Sequence, residues 1–494
     1  MRYLNKYALL LLCLIAALLF FKTVIESSDN QQAEINANLY GKDQDKNQTK
    51  DTATCLSINN DYVELIKSGK YRFTTEVKSN KLAVVDFTHL DSYQQYIAQA
   101  TEVINNKNPR ANMPCPIITD TYVQLAQQNN WASTPTVGQL VAPYELTQPV
   151  HNKSSKAVLL IHGLTDSPYG FHDISQYFYK KGFTVRTVLL PGHATAPSDL
   201  LDVEFIQWQQ ATKFAIEQTL ADFDEVYLGG LSTGQALIFD YVMSQPSIDN
   251  KIKGLFMWSP ASKAKNDLAW LAQYVDRIPS FDWIDLDADI DFAKYESFTY
   301  NAGAQVYDVM NLIVGREALD KKRLQDLPVF VVVSEYDQTI DTMHTLHLIQ
   351  DWQQVSSQNK MQKSVLIYYG EAENLPKELP KLMTVIVPEC SAESLCSDIF
   401  GVSHIATTNS PDNPHYGVNG EYRNCGHYLK DAIKYKECKH NEQVIKGEVT
   451  ELNLLREFPM QRLTYNPYYQ EMLESMGAFL KATSLVNTTA EATE

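Results

Sequence analysis

The sequence has little positive charge for its length. Its 494 residues include 42 Lys and Arg against 59 Asp and Glu, which gives a formal net charge of -17. Such a surface repels the phosphates of nucleic acids and of anionic lipids. We therefore expect no nucleic-acid partner and no electrostatic docking on a membrane.

The apolar run near the N-terminus is short for a membrane span. Arg2 and Lys6 precede 14 apolar residues, from Ala8 to Phe21. A basic start followed by a run of this length is typical of a secretory signal peptide, and a small extension would make it a short anchor. The sequence thus predicts export, to the periplasm or the outside of the cell. Residues 1–27 are the predicted signal peptide or membrane tether, and residues 28–52 are a polar linker.

Cysteine spacing typical of metal sites is also lacking. No pair has CxxC spacing, and no cysteine joins a histidine cluster that would predict zinc, so we expect no metal and no organic cofactor. The six cysteines after the apolar run instead suggest disulfides in an oxidising compartment. Fifteen pairings are possible, and proximity favours Cys55–Cys115, Cys390–Cys396 and Cys425–Cys438.

Strand-length apolar runs alternate with helical stretches from about residue 137 onward. Runs that are apolar throughout suit strands buried on both faces, and their alternation with helices predicts a mostly parallel, doubly wound α/β sheet. The predicted strands are Ala157–Ile161, Thr184–Leu190, Glu225–Leu228, Gly254–Trp258, Val329–Val333 and Ser364–Tyr369, and the clearest helices are Phe205–Leu220 and Ile340–Gln354.

The domain organisation follows from this change of pattern. Residues 137–485 form the predicted main domain, interrupted by a cap insertion at about 262–325 that is rich in aromatic and acidic residues. Residues 53–136 are a smaller N-terminal extension, in which Leu82–Phe87 reads as a strand and Ser92–Asn105 as a helix.

A serine lies between a short apolar run and a stretch that can start a helix. The pentapeptide Gly230-Leu231-Ser232-Thr233-Gly234 follows Val226–Gly229 directly. A strand, a tight turn and a helix in this order lift a serine hydroxyl clear of the backbone, and the glycines permit the close approach of strand and helix. Ser232 is therefore the predicted nucleophile.

A nucleophilic serine needs an acid and a base in addition. Asp337 lies just past Val329–Val333, at the carboxyl end of a predicted buried strand, where active sites of such sheets are found. Glu335 and Asp341 are its nearby rivals. His404 follows the acid in the chain, as expected for this order of residues, and is the predicted base.

The other histidines have different predicted roles. His427 is the strongest rival of His404, while His162 and His193 lie in glycine-containing loops and are expected to shape the pocket. His344 and His347 are one helical turn apart, but no third metal ligand is evident. Two backbone amides are the expected oxyanion donors: that of Leu164, after the strand ending at Ile161, and that of Thr233, after the serine.

Several of these segments together resemble the α/β-hydrolase superfamily, and within it the branch of monoacylglycerol lipases and bacterial carboxylesterases. The segments are Leu160–Ser167, Leu190–His193, Gly230–Gly234 and Tyr336–Asp337, and the resemblance covers about residues 137–482. It implies Ser232 as nucleophile, Asp337 as orienting acid, His404 as base, and Leu164 and Thr233 as oxyanion donors. The chain departs from the family pattern between Asp337 and His404, where an extra stretch carries Cys390 and Cys396.

Two features of the predicted cap have competing interpretations. Asp285–Asp289 imitates the start of a calcium loop, but Ile290 stands where glycine is needed, so a solvated acidic edge is expected. The aromatic residues either line an acyl pocket or pack within the insertion; they are Trp270, Tyr274, Phe281, Trp283, Phe292 and Tyr295.

These observations favour a serine hydrolase that cleaves a small-molecule or lipid-like carboxylic ester through an acyl-enzyme. Two alternatives remain open at this point. The same triad serves aminopeptidases and acyltransferases, and a hydrolase-like scaffold can also serve as a non-catalytic envelope or binding protein.

Overall fold

The computed structural model describes residues 54–56, 62–78, 81–149, 154–316, 327–356, 363–389, 396 and 398–484. The predicted signal peptide or tether, the polar linker and Cys390 lie outside these residues. Within the described part of the chain, no helix combines the length and the apolar character that crossing a membrane requires.

The described strands are short, and most of them are buried. In chain order they are β1 Glu145–Leu146, β2 Lys156–Ile161, β3 Thr184–Val188, β4 Glu225–Leu231, β5 Ile252–Trp258, β6 Trp283–Asp285, β7 Phe298–Thr299, β8 Val329–Ser334, β9 Val365–Tyr369, β10 Thr384–Ile386, β11 Ile399–Phe400, β12 Ile445–Gly447 and β13 Met460–Arg462.

Eight of these strands form one sheet in the order β1-β3-β2-β4-β5-β8-β9-β10. All neighbours are parallel except β1, which runs antiparallel to β3 at the edge. Strands β2, β5, β8 and β9 are almost wholly buried because helices cover both faces of the sheet. The predicted doubly wound α/β class is confirmed.

The described α-helices lie before, between and after the strands. They are α1 Tyr62–Ser68, α2 Tyr93–Lys107, α3 Asp120–Asn129, α4 Val137–Val141, α5 His172–Lys180, α6 Phe205–Asp222, α7 Thr233–Ser244, α8 Ala272–Val275, α9 Tyr300–Arg316, α10 Thr342–Ser356, α11 Leu379–Leu382, α12 Ala432–His440, α13 Glu451–Leu454 and α14 Tyr469–Ser484.

The N-terminal extension packs on the sheet through α2. Ser92 caps this helix by accepting a hydrogen bond from the amide of Gln95, and the hydroxyl of Tyr93 donates to the carbonyl of Thr187 in β3. The strand predicted at Leu82–Phe87 is wrong: these residues are irregular and pair with no described strand, and Val84 is 63% exposed. Val85 and Phe87 are half-buried against the core without forming a strand.

A second, smaller sheet carries the C-terminal part of the main domain. Strands β11, β12 and β13 pair in parallel in that order. We call residues 398–465, which contain this sheet, the histidine segment. The predicted pairs Cys55–Cys115 and Cys425–Cys438 are confirmed, and the second lies within this segment. The pair Cys390–Cys396 stays a prediction because Cys390 is not described.

Candidate active site

Ser232 occupies a sharp turn between β4 and α7. Its backbone has φ 52° and ψ -116°, a region that residues other than glycine rarely adopt. The amide of Ser232 donates to the carbonyl of Trp258 at 3.0 Å, and its carbonyl accepts from the amide of Ala261 at 3.2 Å. Backbone hydrogen bonds thus hold the strained residue on its turn, at the carboxyl end of a central strand.

The glycines beside Ser232 are required by close packing. A Cβ on Gly234 would overlap the carbonyl oxygen of Ile161 in β2, and a Cβ on Gly230 would overlap the backbone of Gln235. Helix α7 therefore begins directly against the sheet, as the sequence pattern predicts.

The structure brings Ser232, His404 and Asp337 together. His404 Nε2 lies 3.0 Å from Ser232 Oγ, and His404 Nδ1 lies 2.7 Å from Asp337 Oδ2. With Nδ1 protonated and donating to the carboxylate, Nε2 is free to accept from the serine hydroxyl. All three residues are at most 8% exposed. The predicted nucleophile, base and acid are thus within hydrogen-bonding reach in the order that proton transfer requires.

The Asp337 carboxylate is held from both sides. Its Oδ1 accepts from the backbone amides of Thr339 at 2.7 Å and Ile340 at 2.9 Å. Burial alone would raise the pKa of Asp337, but the interaction with His404 and these two amide hydrogen bonds outweigh it and lower the pKa below its usual value. The carboxylate therefore stays ionised and oriented towards the imidazole.

The rival acids have other partners. Glu335 accepts from the amide of Glu371 at 2.8 Å and from the side chain of Asn374. Asp341 accepts from the amide of His344 near the start of α10 and pairs with Lys263. Neither of them has a hydrogen bond to His404 among the contacts of the described residues.

The rival histidines are also accounted for. His427 Nε2 lies 3.0 Å from the carbonyl of Met460, and burial lowers the pKa of His427 to about 4. His344 Nδ1 lies 3.1 Å from Ser262 Oγ. No group of three potential metal ligands among His, Cys, Asp and Glu occurs in the described residues.

The loop after β2 lies close to the nucleophile. A Cβ on Gly163 would be only 3.2 Å from that of Ser232, and Leu164 and Thr233 both line the same cleft as the serine. Thr233 is the first residue of α7, where amides have no acceptor within the helix. The two predicted oxyanion donors thus line the same cleft as Ser232, and their role stays a prediction.

His162 and His193 build this loop from inside. The amide of Leu190 donates to His162 Nε2 and that of Thr165 donates to His193 Nε2, both at 3.1 Å. Burial lowers the pKa of His162 well below its usual value, and that of His193 to about 4. Both rings are therefore neutral acceptors that fix backbone amides next to the candidate site.

A cleft of about 710 Å³ opens above Ser232 and has two different walls. The apolar wall comes from the segment predicted to be a cap, with Ala269, Ala272, Ile284, Phe298, Val306 and Met310. The polar wall comes from the loop after β2, the stretch before β7 and the histidine segment, with Asp166, Lys294, Tyr422, Asn424, Glu448 and Arg462.

Two expectations for the cap need correction or refinement. The acidic motif is solvated only at Asp285: Asp287 and Asp289 are 3% and 2% exposed, and Asp289 is satisfied by Ser297 and Arg72. Of the aromatic residues proposed for an acyl pocket, Tyr295 lines the cleft. Trp270 and Tyr274 instead contact each other edge to face on the outside of the cap.

Glu448 and Arg462 are site residues that the sequence analysis missed. The amide of His404 donates to Glu448 Oε2 at 3.0 Å, and Arg462 Nε lies 2.8 Å from Glu448 Oε1. The two residues are 44 and 58 positions after the histidine, and no local pattern marks a pair at such distances.

The fold and the turn together define a class of protein. A mostly parallel sheet with one antiparallel edge strand, and a serine on a strained strand-to-helix turn in its centre, are those of the α/β-hydrolase fold.

Comparison with known proteins gives a local sequence match within this class. The chain is 28% identical over 91 residues to the thermostable monoacylglycerol lipase of Bacillus sp. (strain H-257). The match covers 18% of this chain and 36% of that lipase, so it spans about a third of the relative's length. No family model matches the sequence.

Solved structures of two lipases are similar to this chain. The monoacylglycerol lipase of Paleococcus ferrophilus has a TM-score of 0.35 at 19% identity, covering 48% of this chain and 93% of that one. A soluble variant of monoglyceride lipase from Saccharomyces cerevisiae has a TM-score of 0.34 at 17% identity, covering 42% and 78%. Because these similarities are low, the fold assignment rests on the strand order and the serine turn described above.

Proposed function

We propose that the protein is a serine esterase that cleaves carboxylic esters by way of an acyl-enzyme. The observation that carries this proposal is the chain of two short contacts, from Ser232 Oγ to His404 Nε2 and from His404 Nδ1 to Asp337 Oδ2. A non-catalytic scaffold has no need of a serine on a strained turn aligned with a histidine and a buried carboxylate.

The reaction follows from the roles that this geometry permits. His404 takes the proton of Ser232 as the serine oxygen attacks the ester carbonyl, and the amides of Leu164 and Thr233 stabilise the resulting oxyanion. His404 then donates the proton to the leaving alcohol. In the second half it activates water, which releases the acid and restores the serine. Asp337 keeps the imidazole in the tautomer that can accept from Ser232.

The two walls of the cleft suggest how an ester lies in it. The acyl chain packs against the apolar cap residues, because burial of its methylene groups there is favourable. The alcohol lies against the polar wall, where side chains other than the mutually paired Glu448 and Arg462 can replace its hydrogen bonds to water. The substrate is then a small-molecule or lipid-like ester whose acyl part is the more apolar half, in keeping with the lipolytic relative named above.

Export and a tether at the N-terminus are part of the same proposal. The disulfides Cys55–Cys115 and Cys425–Cys438 fit an oxidising compartment, since such bonds are rare in the cytosol. The basic and apolar start of the sequence supports the same location, as a signal peptide or a short anchor.

The test is the substitution Ser232→Ala, assayed with p-nitrophenyl esters of increasing acyl length. We expect hydrolysis to fall to the background rate and labelling by a fluorophosphonate probe to disappear, while the melting temperature stays near that of the wild type. Ser262→Ala is the matched control, since this buried serine bonds to Thr345 and lies outside the catalytic chain of contacts.

Several results would contradict the proposal. Full activity of Ser232→Ala would remove the serine from the mechanism. Folded wild-type protein that neither hydrolyses any ester nor reacts with the probe would favour a binding protein. Faster cleavage of aminoacyl arylamides than of aryl esters would favour an aminopeptidase.

A further inference from the structure

The loop that carries His404 has few hydrogen bonds between backbone groups. His404 lies in a loop after β11, a strand of two residues, and the sheet that contains β11 has strands of two or three residues. The amide of His404 donates to a side chain, Glu448 Oε2, and not to a carbonyl of the sheet. Apart from the neighbouring Ser403, whose hydroxyl donates to the carbonyl of Leu463, the position of the imidazole thus depends on where the Glu448 side chain is held.

Glu448 is fully buried, and both of its oxygens are occupied. Oε2 accepts from the His404 amide and from Arg462 Nη2, each at 3.0 Å. Oε1 accepts from the amide of Val449 and from Arg462 Nε, each at 2.8 Å. A carboxylate with no exposure requires such partners, and the two-pronged contact with arginine fixes its orientation as well as its charge.

Arg462 extends this arrangement to the loop that carries the acid. Its Nη2 also donates to Thr339 Oγ1 at 3.1 Å, and the amide of Thr339 donates to Asp337 Oδ1 at 2.7 Å. A continuous path of hydrogen bonds therefore runs from the His404 backbone through Glu448, Arg462 and Thr339 to Asp337. It is separate from the direct contact of the imidazole with the carboxylate.

We propose that Glu448 and Arg462 are positioning residues, whose ion pair holds the backbone of His404 in register with Asp337 and Ser232. This inference rests on the proposed esterase function. His404 and Asp337 are separated by 67 residues, so the chain itself does not hold them together. A buried ion pair generally adds little net stability, whereas the orientation it imposes here acts on the catalytic base.

The chain offers a matched ion pair elsewhere. Arg186 in β3 and Glu145 in β1 are 2.7 Å apart, and their side chains are 3% and 8% exposed. They lie at the edge of the main sheet and do not line the cleft. Glu145→Gln thus removes a buried charge from an arginine pair without touching the path to His404.

The experiment compares Glu448→Gln with Glu145→Gln, using p-nitrophenyl acetate as a small substrate. Glutamine keeps the shape but cannot accept from all four donors around Glu448. We expect kcat to fall about 10- to 100-fold with KM within about twofold of the wild type, because a small misplacement of the base slows chemistry without changing binding. The rate of fluorophosphonate labelling should fall in parallel. Glu145→Gln should lower the melting temperature and leave kcat, KM and labelling unchanged.

Thr339→Val tests the same path without a buried substitution. Thr339 is exposed, and valine keeps the amide that donates to Asp337 while removing the acceptor for Arg462. We expect kcat to fall about threefold to fivefold, with KM and the melting temperature unchanged. The fall is smaller than for Glu448→Gln because one hydrogen bond of the path is lost and the ion pair remains. This variant remains informative if Glu448→Gln does not fold.

The outcomes separate this inference from the proposed function. If the wild type hydrolyses the ester and Ser232→Ala does not, yet Glu448→Gln and Thr339→Val both have wild-type kcat, the positioning role is overturned and the esterase stands. A rise in KM with unchanged kcat would also overturn it, since the pair would then contact substrate. If the wild type itself is inactive towards esters, it is the proposed function that fails.

Discussion

The proposed nucleophile and the proposed base are held by different kinds of structure. Ser232 follows β4, which pairs in parallel with β2 on one side and β5 on the other, and helix α7 begins directly after it. His404 lies in the histidine segment, beside short strands, and its amide is fixed by the side chain of Glu448. Ser232 is thus placed by the backbone hydrogen bonds of paired strands, and His404 by side-chain hydrogen bonds.

This difference determines how each residue responds to change. A backbone ladder is insensitive to most single substitutions, because its hydrogen bonds do not depend on the side chain. A histidine held by one carboxylate and one arginine can be displaced by replacing either of them. We therefore expect substitutions in the histidine segment to lower the rate of catalysis. Substitutions of equally buried residues in the main sheet should instead lower the stability.

The largest effect that tests the comparison is expected for Asp337→Asn. An amide at this position can donate to the imidazole and so favours the tautomer that cannot accept from Ser232. We expect kcat to fall about ten-thousand-fold with little change in melting temperature, as for acids of such triads in general. Steady-state kinetics with a p-nitrophenyl ester and a thermal melt measure the two quantities.

Asp341→Asn is the matched control on the same loop. Asp341 accepts from the amide of His344 and pairs with Lys263, so its loss should cost at most about 1 kcal/mol of stability and leave kcat unchanged. A large loss of kcat in this control together with an active Asp337→Asn variant would show that the rival carboxylate is the acid.

The two disulfides give the next largest effect, and they contrast the two regions directly. Cys55–Cys115 closes a loop of 60 residues in the N-terminal extension, and Cys425–Cys438 closes one of 13 in the histidine segment. Replacing both cysteines of a pair by serine should lower the free energy of unfolding by about 4 kcal/mol for the longer loop and about 3 kcal/mol for the shorter one.

Catalysis should follow the opposite order. Asn424 precedes Cys425, and its carbonyl accepts from the amide of Arg462 at 3.0 Å, so opening the shorter loop loosens the arginine that orients Glu448. We expect kcat of the Cys425→Ser/Cys438→Ser variant to fall at temperatures where it is folded, and that of Cys55→Ser/Cys115→Ser to remain at the wild-type value. Equal kcat in both variants would mean that the histidine segment keeps its geometry without the disulfide Cys425–Cys438.

The same contrast explains what the sequence could predict. The strands around Ser232 are continuous apolar runs, and the glycine-flanked serine is a local pattern, so both are recognisable from neighbouring residues. Asp337 is recognisable because it follows one of these runs. His404 could be proposed from its order in the chain, which the superfamily supplies.

Other features depend on contacts between distant residues. Glu448 and Arg462 acquire their partners only when β12 and β13 pair, and a charged residue in a short strand gives no local indication of burial. The acidic motif around Asp287 and Asp289 was predicted to be solvated for the same reason: its partners Arg72 and Ser297 are supplied by other parts of the fold. Leu82–Phe87 has the composition of a strand but lacks a neighbour to pair with.

The smallest expected effect concerns a contact that joins the two regions. Asp173 in α5 accepts from the amide of Ser410 and from Asn413 Nδ2 in the histidine segment, each at 2.8 Å, and burial raises the pKa of Asp173 from 3.8 to about 6. The folded state therefore keeps this proton to a higher pH than the unfolded chain, so the group makes the protein less stable as pH rises from about 4 to about 6. Asp173→Asn keeps both acceptor contacts and should remove this fall, which makes the variant more stable than the wild type at pH 7. Urea unfolding at a series of pH values measures it, with Asp202→Asn, an exposed aspartate away from Asp173, as the control that should leave the shape of the curve unchanged. If the free energy of unfolding of the wild type and of Asp173→Asn changes with pH in the same way, ionisation of Asp173 does not destabilise the folded protein where the two regions meet.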